Sequence, residues 1–483
     1  MADASMNRKI MKTEKPLSEQ VAFKEKLAYG MGDAATAFSA VSVGSFSMYY
    51  FTDYVGVSAV LLGSVLLFTR IFDAVTNILM GYVVDRTNTK DGKARPWVKW
   101  MILPMFIALV LVFAIPRGMG TGPTIAYITV IINIYYLVYT MSNIPFGTLG
   151  TVVSRDPQVR SELNLIRMLG YFAINIILSF TTLWMVGIFG DGHHGNRGWI
   201  ITMVIYGIIM SIIFWFTYSM TTERVKPVAE STVENGEKEK PLPLGKSLVL
   251  LFKNKYWILI FIIMILTWIL VNLFGGINVY YAAHILHKPG HVGILNFAFT
   301  GALLVGFLCV SFVFRKIGRR RTIFIGLLVI VVSSLAMLLN PTNIWFLGVL
   351  LVFRGLGFAP LMGSAYAMLA DVIDYGEWKN GIRNEGVTYS GGTFSTTVGS
   401  GLASAGIGYV IGLAGYVYEK GATQPESVLT AIKSLYIVAP AVVAVILMIM
   451  FYFYNLDLFN EKIAADLKQG KFASDSTSQN RGE

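Results

Sequence analysis

A few charged and amide side chains stand inside otherwise apolar stretches, and they are the residues best placed to do chemistry. Asp33 lies in the first such stretch, Arg70 and Asp73 in the second, Arg167 in the fifth and Arg354 near the start or middle of the tenth. If those stretches cross a membrane, each mid-span charge costs about 2.5–3.5 kcal/mol on insertion scales and needs a partner or a wet cavity. Arg70, Asp73 and Asn77 recur at spacings of three and four, so one helix face carries all three. Tyr139, Thr140 and Asn143 form a similar stripe in the fourth stretch, followed by Pro145, which loosens a helix locally. Two readings follow. Carboxylates and Arg167 can meet a polar solute or an ion in a hydrated cavity, or a pair such as Arg70–Asp73 can simply order a bundle.

A second group of charges, Asp371, Asp374, Glu377, Lys379, Arg383 and Glu385, follows the tenth stretch. Both signs occur there, which suits ion pairs to the other half of the molecule that close and open one mouth. An ordinary solvated loop is the alternative. Arg70 belongs with Asp371, Asp374 and Arg383 as a gating candidate. The histidines, His193, His194, His284, His287 and His291, fall at predicted outer ends or loops and read as loop residues, not metal ligands. Most of the 24 Tyr and 31 Phe are expected in the core or the interfacial belts. Tyr29, Tyr139 and Phe146 sit beside polar positions and could stack on a sugar ring. No catalytic set, metal cluster or phosphate-binding loop is present, so neither an enzyme, a cofactor nor direct ATP coupling is expected.

The elements that must position these residues are membrane helices. Of 483 residues, 55% are hydrophobic and 14% charged, against about 25% charged in a soluble domain. Apolar runs occur at roughly 27–52, 57–83, 98–115, 123–149, 162–188, 199–221, 254–283, 292–314, 322–340, 343–370, 386–415 and 430–455. Each is near the ~20 residues needed to cross the hydrocarbon. This predicts an all-α membrane protein of twelve transmembrane helices in two six-helix bundles. A polar start with Arg8, Lys9, Lys12 and Lys15 carries no apolar leader, so no cleaved signal peptide is expected. The single Cys309 makes no intrachain disulfide.

Charge orients the bundle. The joint after the second span holds Arg86, Lys90, Lys93, Arg95 and Lys99, and the joint after the eighth holds Arg315, Lys316, Arg319, Arg320 and Arg321. The alternate joints are nearly bare. The positive-inside bias then puts both termini and the central segment in the cytoplasm of a multi-pass cell-membrane protein. It also accounts for the net charge of +11 better than nucleic-acid binding does. The expected organisation is a cytoplasmic segment 1–26, a bundle 27–221, a flexible linker 222–253, a second bundle 254–455 and a tail 456–483. The two five-base joints fall at the same place in each half, as in a parallel internal repeat.

Several stretches resemble the glycoside–pentoside–hexuronide cation symporters of the major facilitator superfamily. They are Tyr29 to Asp33, Tyr49 to Asp53, Arg70 to Asn77, Met80 to Trp97, Asn143 to Phe146 and, above all, Ala370 to Ser390. The match runs over nearly the whole chain. The details look closer to glucuronide- and xyloside-transporting members than to the melibiose permease. The resemblance implies the major facilitator fold, a sugar site between the halves and alternating access. It implies that Arg167 contacts sugar and that Asn143 stands where the melibiose permease has a sugar-contacting aspartate. Asp73 and Thr140 match that protein's cation site, but its second carboxylate is Asn77 here. A lysine expected in span eleven is Thr397, and the sugar-binding aspartate of span one aligns with Ala37, whereas Asp33 follows the other members.

Those departures weaken a sodium site, since one full negative charge is gone. The expectation is therefore a secondary transporter that takes up a glycoside, pentoside or hexuronide with a proton, sodium being the weaker choice. Asp33, Tyr139, Asn143, Phe146 and Arg167 would bind substrate, and Asp73, Asn77 and Thr140 would couple the cation. The expected partners are a small-molecule sugar and the bilayer, with no nucleic acid and no obligate protein. An uncoupled sugar facilitator and a non-transporting sugar sensor are the alternatives.

Overall fold

The computed structural model describes residues 21–87, 89–116, 118–153, 157–190, 196–224, 251–380, 385–417, 423–459, 462–463 and 466–467. Within hydrocarbon every backbone polar group must be satisfied internally, and helices do this within one segment. The chain is accordingly a succession of long helices. The N-terminal half holds α1 (Phe23–Val41), α2 (Ala59–Arg86), α3 (Ile102–Val112), α4 (Thr121–Val153), α5 (Pro157–Phe189) and α6 (Arg197–Met220). The C-terminal half holds α7 (Lys255–Tyr280), α8 (Val292–Ile317), α9 (Arg319–Ala336), α10 (Ile344–Asn380), α11 (Glu385–Leu413) and α12, which runs Glu426–Lys433, Ser434–Val438 and Ala439–Phe453. Among the described residues ten helices are long and apolar enough to cross a membrane by themselves. The other two of the twelve are α1 and α3. α1 continues through π-turns at Ser42–Phe46 and Tyr50–Tyr54, and α3 is preceded by the short helix Arg95–Trp100 with a break at Met101.

The pairing of helices repeats with an offset of six. α1 packs on α5 as α7 packs on α11, α2 on α4 as α8 on α10, and α3 on α6 as α9 on α12. The halves meet through α2 against α11 and α5 against α8, two contacts that the same offset exchanges, and through the π-turn of α1 against α7. Large apolar side chains such as Ile71, Leu79, Trp184, Ile212 and Leu308 stay exposed on the outside. A soluble surface would not leave so many uncovered; lipid is their solvent.

Two joints differ from the plain sequence expectation. The apolar pattern ends the tenth run near 370, but α10 continues to Asn380, 37 residues in all, or about 56 Å. Asp371, Asp374 and Glu377 are therefore on a helical extension beyond the hydrocarbon, not in a loop. The linker expected at 222–253 begins as an anchored segment. Thr222 donates to Glu25 through its amide and hydroxyl, and Arg224 makes a bidentate pair with Glu25 at 2.7 Å. Glu223 accepts from the backbone amides of Lys93, Ala94 and Arg95. A side chain at Gly92, where φ is +107°, would strike that carboxylate at 2.3 Å, so glycine is required there. Residues 225–250 of the expected linker, and the termini 1–20 and 468–483, lie outside the described residues.

Candidate functional site

The first polar centre forms where α1 and α5 cross closely. Gly30 makes the approach possible: a Cβ there would lie 2.2 Å from Ile166 Cγ2. One turn along, the Arg167 guanidinium meets Asp33 through Nε at 3.1 Å and Nη2 at 3.3 Å, and Nη1 donates to the Tyr29 hydroxyl at 3.1 Å. Its plane lies over the Phe146 ring at 4.8 Å and near Tyr29 at 5.6 Å. Phe146 is fully buried, stacked on Tyr29 at 5.0 Å. Its ring shelves the guanidinium in this state and has no surface exposed to a solute. The paired side chains keep 20% and 16% of their surface, so the pair stays partly accessible. Three of the five guanidinium N–H groups are engaged, which leaves two for a solute.

The second centre lies between α2 and α4. Thr140 donates to Asp73 Oδ1 at 2.9 Å, and Asn77 Nδ2 donates to the same oxygen at 3.2 Å. Arg70 stands 3.6 Å from Asp73 Oδ2, donates to the Tyr136 hydroxyl at 2.8 Å and covers that ring at 4.3 Å. Residues 63 to 67 positions apart in sequence thus converge on one buried carboxylate. Arg70 also touches the seam between the halves, because a Cβ on Gly401 of α11 would meet its Cβ at 2.8 Å. Tyr139 and Asn143 are half-buried on the same face of α4, and Asn143 sits one turn from both Thr140 and Phe146, between the two centres. Thr397, at the expected lysine position, is buried and bonds to its own helix, through Thr393 O at 3.5 Å.

Beyond these centres a cavity of about 130 Å³ separates the halves, room for roughly four waters. Its N-terminal wall includes Ser45 and Phe46 from the π-turn of α1, and Tyr171, Asn175 and Ser179 from α5; its C-terminal wall includes Phe274, Asn278, Asn296, Thr300 and Tyr436. Arg167, Tyr171, Asn175 and Ser179 follow at steps of four, so one face of α5 runs from the ion pair into the cavity. Asn296 of α8 donates to Asn175 Oδ1 at 2.7 Å and to Ser179 Oγ, and accepts from Thr300 at 2.9 Å. Sequence reasoning misses this amide bridge between the halves. A signal for it exists, an Asn in each of two apolar runs, but single amides are weaker beacons than charges.

The bare end of the bundle is shut. Asp53, buried at the end of α1, accepts from Tyr416 at 2.8 and 2.7 Å and from Thr52 at 2.7 Å. His284 Nε2 lies 2.8 Å from the Tyr416 oxygen and 3.4 Å from Asp53, and Tyr280 bonds Thr52 at 2.9 Å. Tyr416 has one proton and gives it to Asp53, so His284 donates to Tyr416. His284 is thus part of a buried latch between halves, not a loop residue as expected; α7 runs on as a π-turn through Tyr281–Ile285 and carries it inward. His193 and His194 lie outside the described residues. Tyr416→Phe is expected to weaken this closure by about 1–3 kcal/mol, the cost of leaving a buried acceptor short of a donor. Spin labels on the bare ends of α1 and α7 should then show a longer, broader distance; an unchanged distribution removes the latch from the gate.

At the basic end, among the described residues, two groups of ion pairs each lie within one half. Arg319 bonds both Asp371 and Asp457, and Lys26 bonds Glu162 at 2.6 Å. Asp374 lies on the α10 extension one turn from Asp371. Arg383, the remaining gating candidate, lies outside the described residues.

Comparison with known proteins places this geometry. The family described as MFS/sugar transport protein matches residues 28–458. The chain is 31% identical over 458 residues to the isoprimeverose transporter of Lactiplantibacillus pentosus, covering 93% of this chain and 92% of that one. It is 30% identical over 467 residues to the inner membrane symporter YicJ of Escherichia coli, covering 94% and 96%. The solved nucleoside transporter NupG shares the fold, with a TM-score of 0.62 at 15% identity over 89% of this chain and 99% of that chain.

Proposed function

Because the chain belongs to the MFS/sugar transport protein family, we propose that it carries a glycoside, pentoside or hexuronide into the cell by proton symport. It is a multi-pass membrane transporter of the major facilitator fold and not an enzyme. In this reading the basic end faces the cytoplasm, and the shut bare end closes the route to the outside.

One observation supports the coupling step: a buried carboxylate beside an arginine whose Cβ and Cγ stem packs on α11 at the seam between halves. With Asp73 ionised, Arg70 is held at its side. A proton on the Asp73 carboxylate cancels that attraction, which is strong in a poorly solvated interior. Arg70 is then free to change its contact with α11, so a charge event becomes an inter-half event. The proton returns to water on the cytoplasmic side and the pair re-forms. Asn77 supports the proton over sodium, because it is neutral and adds no negative charge beside Asp73. Sugar hydroxyls would use the two remaining Arg167 donors, the Asp33 oxygens and Asn143. Asn143 links solute to proton, since it lies one turn from Thr140.

The test is uptake into proteoliposomes under an imposed pH or sodium gradient, with labelled glycosides, pentoses and glucuronides. Accumulation driven by the pH gradient alone is expected. Accumulation driven by sodium would move the coupling ion, equilibration without accumulation would make the protein a facilitator, and absence of flux for every sugar would sink the reading.

A further inference from the structure

The seam between the halves has two unlike sides. On one side α2 meets α11 backbone to backbone: a Cβ on Gly408 would lie 2.5 Å from Ala59 O and 3.0 Å from Gly63 Cα, and one on Gly63 would lie 3.1 Å from Ala405 O. Among the described residues, none of those lining the central cavity belongs to α2 or α11. On the other side α5 meets α8 through polar side chains that do line it. Asn296 donates to Asn175 and to Ser179. Ser179 gives its own proton to Asn175 O at 2.7 Å, so its oxygen is free to accept, and Thr300 holds the Asn296 carbonyl at 2.9 Å. Gly293 lets α8 close in, since a Cβ there would strike Phe180 of α5 at 2.3 Å. Both asparagines are half-buried. Asn175 spends one of its two polar side-chain atoms on Asn296, and the other has no partner among the described residues. The Tyr171 hydroxyl, one turn nearer Arg167 on the same wall, has none among them either. Neither atom is enclosed, so both open on the cavity.

We propose that Asn175 and Asn296 form a gate that the solute itself operates, with the Tyr171 hydroxyl beside it as a further solute contact. This rests on the sugar-carrier reading above. In the structure the two amides bond one another and draw α8 against α5, about 12 Å along α5 from Arg167 toward the bare end. A sugar that rests on Arg167 extends along the face of Tyr171 and Asn175. Its hydroxyls both donate and accept, so they can replace either amide. The direct bond is then exchanged for bonds through the sugar, and the seam parts without leaving a buried polar group unmet. Such an exchange needs neutral groups. A charged pair at this place would make bonds roughly twice as strong, which sugar hydroxyls could not displace. The glycine contacts of α2 with α11 offer a solute nothing to exchange, so the α5–α8 side is the one that reads it.

The probes are labelled methyl xyloside, methyl glucoside and methyl glucuronide, taken up by proteoliposomes of the full chain. Asn175→Leu and Asn296→Leu keep the bulk and remove the polar atoms. Each is expected to raise the KM of a carried probe by about tenfold. The double variant should be little worse than either, because both act on one exchange. Spin labels on the bare ends of α5 and α8, with the exposed Cys309 replaced, report the seam. With both asparagines present, adding the probe should lengthen the distance. In the leucine variants the distance should be long already, and the probe should move it little. A clasp that only orders the helices would change the maximal rate and leave KM unmoved, and that result overturns the gate, as does a distance that the probe does not shift when both asparagines are present. Should leucine prevent folding, Asn296→Ala and Tyr171→Phe take its place. The first should lengthen the probe-free distance, and the second should raise KM severalfold without changing it; KM unmoved in both overturns the proposal and leaves the carrier reading intact. Uptake of none of these probes nor of any other sugar overturns both.

Discussion

Asp73→Asn is expected to reduce the concentration ratio reached under a pH gradient to one while sugar exchange across the membrane continues. The asparagine keeps the shape and can still accept from Thr140, whose hydroxyl lies 2.9 Å from the carboxylate. It cannot take up a proton. It also leaves Arg70 permanently without its counter-charge, as the protonated state would, so the variant should resemble the proton-loaded carrier and exchange sugar freely. Inside-to-outside ratios of labelled sugar with and without a pH gradient measure this directly. If the variant still accumulates sugar, Asp73 is a structural anion and coupling lies elsewhere.

The second large effect is expected at Arg167. Arg167→Ala strands Asp33 and removes the two N–H donors that the ion pair leaves partly accessible. Breaking a buried ion pair from one side typically costs about 3–5 kcal/mol, and this pair keeps only 20% and 16% of its side-chain surface. Sugar binding measured by titration on purified protein should fall by at least about 100-fold, or 2.7 kcal/mol. Arg167→Lys keeps the charge but not the fork that meets both Asp33 oxygens, and should recover only part of the loss. The control is Asp33→Asn combined with Arg167→Gln, which removes both charges together. If that double variant binds sugar as tightly as the wild type, the pair orders α1 against α5 and does not hold the solute.

Both predictions fall on residues that stand out in the amino-acid sequence itself. Asp73, Asn77 and Thr140 are conspicuous because charge and amide are costly in apolar runs and because a period near 3.6 assigns them to faces. The fold brings them within hydrogen-bond reach of one another. Asp33 and Arg167 are legible for the same reason, though nothing local joins residues 134 positions apart. Phe146 shows the limit. Its neighbourhood is readable, but whether its ring faces a solute or backs a guanidinium depends on how α1, α4 and α5 pack.

The sequence by itself determined the class of molecule: twelve apolar helices and the few polar residues worth watching. These follow from composition and from spacing within single helices, where geometry is local. Tertiary structure alone decided who pairs with whom. It drew His284 from an apparent loop into a latch with Tyr416 and Asp53, joined Asn175 to Asn296 across the halves and, among the described residues, left Arg354 buried without a carboxylate partner. Such outcomes depend on the rotation and closeness of helices far apart in the chain. A single helix's periodicity says which face a residue occupies, and only packing says what that face meets.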